Sequence, residues 1–178
     1  TLFRSVCEME FSEVIKQRYA CKKFDGRPVE TEQLNAILEA GRLAPTAKNL
    51  QEQRIYVVQS EEGLGKIDEA TPCRYGASTV MVVAFDKENV FTYPGDQRDS
   101  GVEDATIVAT HLMLAAKDVV VDSCWINFFD PDVMAEKLGL PEKEEVLMLL
   151  DLGYAAEGTE PLPTHSQRKE LSETVSYL

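Results

Sequence analysis

Thr79-Val80-Met81-Val82-Val83-Ala84-Phe85 is the stretch from which the fold is read, because after Thr79 it carries no polar side chain. A continuous apolar run, rather than an alternating one, predicts a strand buried on both faces. Outward from it, Ile55-Tyr56-Val57-Val58, Val119–Ile126 and Glu145–Leu152 predict further strands. Phe11, Val14, Ile15 and Tyr19 fall at helical spacing and predict a short helix over 11–19. Thr31 is the expected N-cap of a second helix carrying Leu34, Ile37, Leu38 and Leu43, closed by Pro45. Residues 61–70 read as weakly helical and 86–98 as a loop. Asp99–Asp118 gives the longest helical pattern, with Val102, Ala105, Val108, Ala109, Leu112, Ala115 and Ala116 on its inner face. Asp130 caps a further helix with Pro131 at its first position, and Gly139 with Pro141 stops it. Strands separated by helices predict one α/β-type domain over 9–178, a sheet covered by helices on its faces.

The 178 residues carry 18 Lys and Arg against 31 Asp and Glu, a formal charge of −13, with 44% hydrophobic and 28% charged residues. This is the composition of an ordinary globular domain. Its acidity argues against nucleic acid or an anionic membrane as partner, since both require a basic face. Cys7, Cys21, Cys73 and Cys124 are scattered, with neither zinc-site spacing nor the setting of a disulfide framework. They read as reduced thiols and a cytoplasmic address. No apolar run is long enough to span a bilayer. Residues 1–8 lack an initiating Met and read as an appended or disordered start, with the natural beginning at Met9.

The chemistry the chain lacks is informative. Its two histidines are His111, expected as a packed or half-exposed helix residue, and His165 in the tail. No nucleophile elbow, Walker loop or zinc-protease signature occurs. Cys124, on an apolar strand, reads as a buried and inert thiol. An enzyme built this way takes its reactive group from a cofactor. The basic residues cluster at Arg18, Lys22, Lys23 and Arg27 and again at Arg168-Lys169. Such clusters are either a solvated face or a seat for a phosphate monoester. Ala44-Pro45-Thr46-Ala47-Lys48-Asn49-Leu50-Gln51 is either a plain connector with Asn49 left-handed or a loop whose carboxamides meet the edge of a planar heterocycle.

Together these segments resemble the FMN-dependent nitroreductase family. Arg18-Tyr19-Ala20-Cys21-Lys22-Lys23-Phe24 resembles its R-x-S-x-R/K-x-F opening, and the 44–51 stretch its A-P-S-x-x-N-x-Q loop. Asp122–Asp130 resembles the strand-to-loop segment that passes the flavin, and Leu152-Gly153-Tyr154 a late L-G-Y signature. Arg168 lies where the family carries a C-terminal phosphate-binding arginine. The resemblance implies an α+β fold with a mixed, mainly antiparallel sheet flanked by helices, in an intertwined homodimer with FMN at the interface. It implies that Arg18, Lys22 and Arg168 hold the phosphate and ribityl chain, with Tyr19 and Ala20 beside them. Pro45, Thr46, Ala47, Asn49 and Gln51 would belong to the flavin loop, reaching across the dimer, and the backbone of Ile126, Asn127 and Phe128 would face the ring. No metal and no catalytic side chain are implied. The activity implied is transfer of hydride or electrons from NAD(P)H to an electron-poor acceptor such as a nitroaromatic or quinone. Ene reduction, dehalogenation or flavin binding without catalysis are the other activities the resemblance admits. The chain departs from the family pattern at Ala20, usually serine; at Val120, often glycine; and at Glu52-Gln53, where the loop usually closes as Q-P-W.

Overall fold

A computed structural model describes residues 9–178; the reading of 1–8 lies outside the described residues. The elements are α1 (Phe11–Gln17), α2 (Thr31–Arg42), β1 (Gln53–Val58), α3 (Glu61–Ala70), β2 (Thr79–Asp86), α4 (Gly101–Asp118), β3 (Asp122–Ile126), α5 (Pro131–Leu138), β4 (Glu144–Gly153) and α6 (Leu171–Thr174). The four strands lie in the order β1-β2-β4-β3, every pair antiparallel. A parallel bridge between Ala20 and Ser123 adds the N-terminal segment to the free edge of β3. The fold is therefore α+β with a mainly antiparallel sheet, not the α/β alternation that periodicity alone suggested.

Every residue of β2 is buried, as its unbroken apolar run requires. Met81, Val83 and Phe85 face α2 and α4 with Ile37, Val108 and Leu112. Val80, Val82 and Ala84 face the opposite layer, with Ile67 of α3, Met134 of α5, and Cys21 and Phe24. Ala105, Ala109 and Ala116 of α4 are wholly buried, and small side chains let the helices close together. Gly41 of α2 marks a close approach to α4: a Cβ there would stand 2.6 Å from Leu112 Cδ2. Asp130 accepts from the Asp132 and Val133 amides, Pro131 opens α5, and Gly139 ends it at φ 66°, all as the sequence predicts.

Several boundaries differ from expectation for local reasons. Helix α1 stops at Gln17, because Arg18 is extended and the chain then pairs with β3. Glu30, not Thr31, is the N-cap of α2, and the helix ends at Arg42, before Pro45 acts. Helix α4 begins at Gly101 after Ser100 rather than at Asp99. Val119-Val120-Val121 is a turn instead of the start of β3: Val120 and Val121 donate back to Lys117 and Ala116 carbonyls. Three β-branched residues read as strand, but the end of α4 captures them. His111 is exposed on α4, its Nδ1 2.9 Å from the Ile107 carbonyl.

The turn places Val120 at φ 62°, in the left-handed region, with its side chain 52% exposed. A β-branched residue there is strained by roughly 1–3 kcal/mol, and little apolar burial offsets it. Val120→Gly is expected to stabilise the fold by about 1 kcal/mol, read as a higher urea midpoint at unchanged slope. A lower midpoint would show that the valine is not strained.

Candidate functional site

The segment after α1 is stitched down residue by residue. Cys21 N–H donates to Ser123 O, Phe24 N–H to Tyr75 O, Asp25 N–H to Tyr154 O, and Ala156 N–H returns to Lys23 O. This fixes Arg18, Tyr19 and Ala20 at the edge of β3. The tail then folds back over them through a 3₁₀ turn at Pro163–Ser166. Arg18, Ala20, Leu162, Thr164, His165 and Arg168 line one cavity of about 250 Å³. The His165 ring meets Tyr19 edge-on, centroids 6.4 Å apart.

Among the described residues, neither Arg18 nor Arg168 has a carboxylate partner in an ion pair. Arg168 donates, among the described residues, to the backbone carbonyls of His165 and Gln167. In a chain of charge −13, two guanidinium groups without counter-ions converge on one hollow. The donor chemistry is that of a site for a phosphate-like dianion, which bidentate guanidinium groups match in geometry and charge. Lys22 is directed elsewhere, its ammonium 5.5 Å from the centre of the Tyr75 ring.

The other expected site residues lie in two further places. Ile126 is buried at the end of β3, while Asn127 and Phe128 are exposed beyond it, Phe128 by 73%. The Phe128 backbone carbonyl accepts from Thr71 Oγ1 at 2.7 Å, and the Asn127 side chain is held through its Oδ1, which accepts from Trp125 Nε1. The loop from Pro45 to Gln51 is strained but ordered. Lys48, Asn49 and Gln51 all have positive φ, at 51°, 56° and 54°. Gln51 N–H donates to Thr46 Oγ1, and Ala47 N–H donates to both oxygens of Asp104 in α4. The left-handed Asn49 was legible from its sequence context; its two left-handed neighbours were not.

These places are not all adjacent within one chain. Ala47 is tied to Asp104 near the start of α4, whereas Ala20 bridges to Ser123 beyond the helix's end at Asp118. From Asp104 to Asp118 the helix rises about 21 Å at 1.5 Å per residue. His165, Thr164 and Leu162 escaped sequence reasoning. The one signal was that a scarce histidine stands three residues before Arg168.

Beneath β3 the sheet buries an acid. Asp151 on β4 is paired between Cys124 and Val80, has no solvent exposure, and neither carboxylate oxygen has a hydrogen-bond partner. Burial pushes its pKa up to about 8, against the opposing charge of Arg74. Burial likewise lifts the Cys124 thiol to about 12, so it is inert at neutral pH.

A model of the nitroreductase family matches residues 15–75 and 72–154. A nitroreductase family protein of Clostridium difficile 630 is 38% identical, covering 95% of this chain and 98% of its own, with a TM-score of 0.88. A relative from Archaeoglobus fulgidus, provisionally named an NADH dehydrogenase/NAD(P)H nitroreductase, is 30% identical, with 82% of this chain and 85% of the relative covered. A structure described as an FMN-dependent nitroreductase from Clostridium difficile R20291 is 26% identical over 88% of this chain and 96% of its own, at a TM-score of 0.71. The chain belongs to the nitroreductase family.

The buried acid sets a pH dependence whose sign is fixed. A carboxyl whose folded pKa lies above its unfolded value binds its proton more tightly in the native state, so stability falls as pH rises from about 4 to about 8. The loss approaches about 1.4 kcal/mol per pH unit for one proton. Asp151→Asn is expected to flatten this slope in unfolding free energies measured from pH 5 to pH 8, and an unchanged slope would clear Asp151 of it.

Proposed function

We propose that the protein is an FMN-dependent oxidoreductase that takes reducing equivalents from NAD(P)H and passes them to a small, planar, electron-poor acceptor such as a nitroaromatic or quinone. The observation that carries this reading is the convergence of Arg18 and Arg168, neither paired with a carboxylate among the described residues, on one cavity. In this reading the two guanidinium groups hold the FMN phosphate, and the His165 ring, packed on Tyr19, closes the same cavity. Ala20 leaves room but no hydroxyl there. Bound FMN would supply the two-electron chemistry that the chain's own side chains lack.

The remaining residues orient and shield. The segment Ile126–Phe128, held by Thr71 at the Phe128 carbonyl and by Trp125 at the Asn127 side chain, brings backbone polar groups to the exit of β3. Asn49, Gln51 and Asn127 are exposed, so their carboxamides lie at the surface rather than in the core. Lys22, with its ammonium at the Tyr75 ring, places a positive charge on the same extended segment as Arg18. The helix length separating the 44–51 loop from the Arg18 cavity supports a homodimer, in which the loop of one protomer completes the site of its partner. Exposed Val102 and Ile107 on α4 give such a dimer an apolar face to cover. Free Cys21, Cys73 and Cys124 suit a reducing, cytoplasmic setting. No described helix is long and apolar enough to cross a membrane.

The test is a visible absorption spectrum of the purified protein, before and after anaerobic NADH and then NADPH. Flavin bands that bleach are expected; a protein that stays colourless after incubation with FMN overturns the reading. Arg168→Ala is expected to weaken FMN binding by about 10- to 100-fold, the loss of one charge-assisted contact of roughly 1.5–3 kcal/mol. Unchanged affinity removes Arg168 from the site. Light scattering is expected to report a dimer, and a stable FMN-loaded monomer would contradict the shared site.

A further inference from the structure

Glu52 follows Gln51 directly, where the flavin loop enters β1, and its side chain has no solvent exposure. Its Oε1 accepts from Ser100 Oγ at 3.3 Å, while Oε2 has no hydrogen-bond partner. Asp104, 4% exposed, holds the loop through the Ala47 amide at 3.0 and 3.1 Å. Ser100 Oγ also accepts the Phe91 amide at 3.1 Å. The first turn of α4 therefore anchors the 46–51 loop through Asp104 and the 86–98 loop through Ser100, with Glu52 between the two anchors.

The cations nearby are engaged elsewhere. Arg54 of β1 donates to the carbonyls of Gln51, Glu52 and Gln53 and pairs with Asp86 and Glu144. The Lys48 ammonium lies 4.7 Å from the centre of the Phe91 ring, and Glu103 takes the Tyr93 hydroxyl. Among the described residues no salt bridge reaches Glu52 or Asp104. The partial positive charge of the α4 N-terminus favours one negative charge at this place but is too small to balance two. Burial, and then the Asp104 carboxylate beside it, hold the Glu52 carboxyl well above the usual carboxylate range.

We propose that Glu52 and Asp104 form a one-proton carboxyl pair that fixes the 46–51 loop, making Glu52 a positioning residue for cofactor binding. The inference rests on the flavin reading above. With one proton, Glu52 Oε2 donates to Asp104, which satisfies the orphan oxygen and leaves Asp104 charged to hold the Ala47 amide. Loss of that proton sets two like charges in one buried space. The contact with least support is the Ala47 tether, and Asn49 and Gln51 move when it yields. Because the proton is held more tightly in the ordered loop, loop order is complete at low pH and lost as pH rises through the pair's upper titration.

The test follows amide exchange of residues 47–51 in the cofactor-free protein, corrected for intrinsic rates, from about pH 6 to about pH 9. FMN titrations by flavin fluorescence cover the same range. In the wild type, Ala47 protection is expected to fall about tenfold across this range, with FMN affinity falling in parallel. Glu52→Gln, isosteric and uncharged, is expected to flatten both profiles. Asp104→Asn, which removes the like charge, is expected to shift the wild-type midpoint to lower pH. The FMN phosphate titrates equally in all three proteins and so cancels from the comparison. Parallel profiles in wild type and Glu52→Gln overturn the inference. A Glu52-dependent exchange profile with no FMN binding in any of the three proteins overturns the flavin reading instead, and with it the cofactor half of this inference.

Discussion

Complete burial of β2 on both faces is the constraint on which the rest of the molecule depends. A strand of eight buried residues between β1 and β4 must be covered from both sides. The α2–α4 pair covers one side, and α3, α5 and the 18–25 segment cover the other. With both faces occupied, the places left for chemistry are the edge of β3 and the loops at the two ends of α4. The cavity lined by Arg18 and Arg168 and the 44–51 loop fall at those places. The family's cofactor-dependent chemistry is compatible with this layout because it requires no nucleophile in the packed interior.

The charge distribution follows the same geometry. Acidic residues outnumber basic ones, and about half of the described cations are paired with them, as Arg74 is with Asp68 and Lys143 with Asp86. Arg18 and Arg168 are among the described cations without such a partner, and they share one cavity. Each exposed pair contributes little to stability, so leaving two arginines without such partners costs the fold almost nothing. Asp151 is the opposite case, an acid inside the sheet with no hydrogen-bond partner. Its cost is real, and protonation limits it: a neutral carboxyl is far cheaper to bury than a carboxylate.

The elements legible in the sequence were those whose signals are local. The apolar run of β2, the alanine-rich face of α4, and the Asp130, Pro131 and Gly139 punctuation of α5 all depend on neighbours within a few residues. Val119–Val121 misled because β-branched composition outweighs, on paper, a helix end that captures the next two amides. Arg18, Ala20 and Arg168 could be singled out, but their meeting depends on contacts between residues nearly 150 positions apart. Periodicity carries no information over that distance. His165 shows the limit most clearly: nearness to Arg168 is its one local mark, and the return of the tail is what places its ring against Tyr19.

Glu52 belongs to neither group. Its position in the sequence marks it as a departure from the family loop, yet composition alone would place an acid between Gln51 and Gln53 in solvent. The fold buries it because β1 begins one residue later and the Asp86 amide already bonds the Glu52 carbonyl. The backbone is thus committed to the sheet before the side chain finds room. Two polar groups within its reach, Ser100 and Asp104, belong to the start of α4, and Asp104 is itself acidic. A glutamate that would lie harmlessly in an exposed loop therefore becomes, through strand register, a second acid against the anchor of the 46–51 loop. Register converts a local change of residue into a change in how that loop is held.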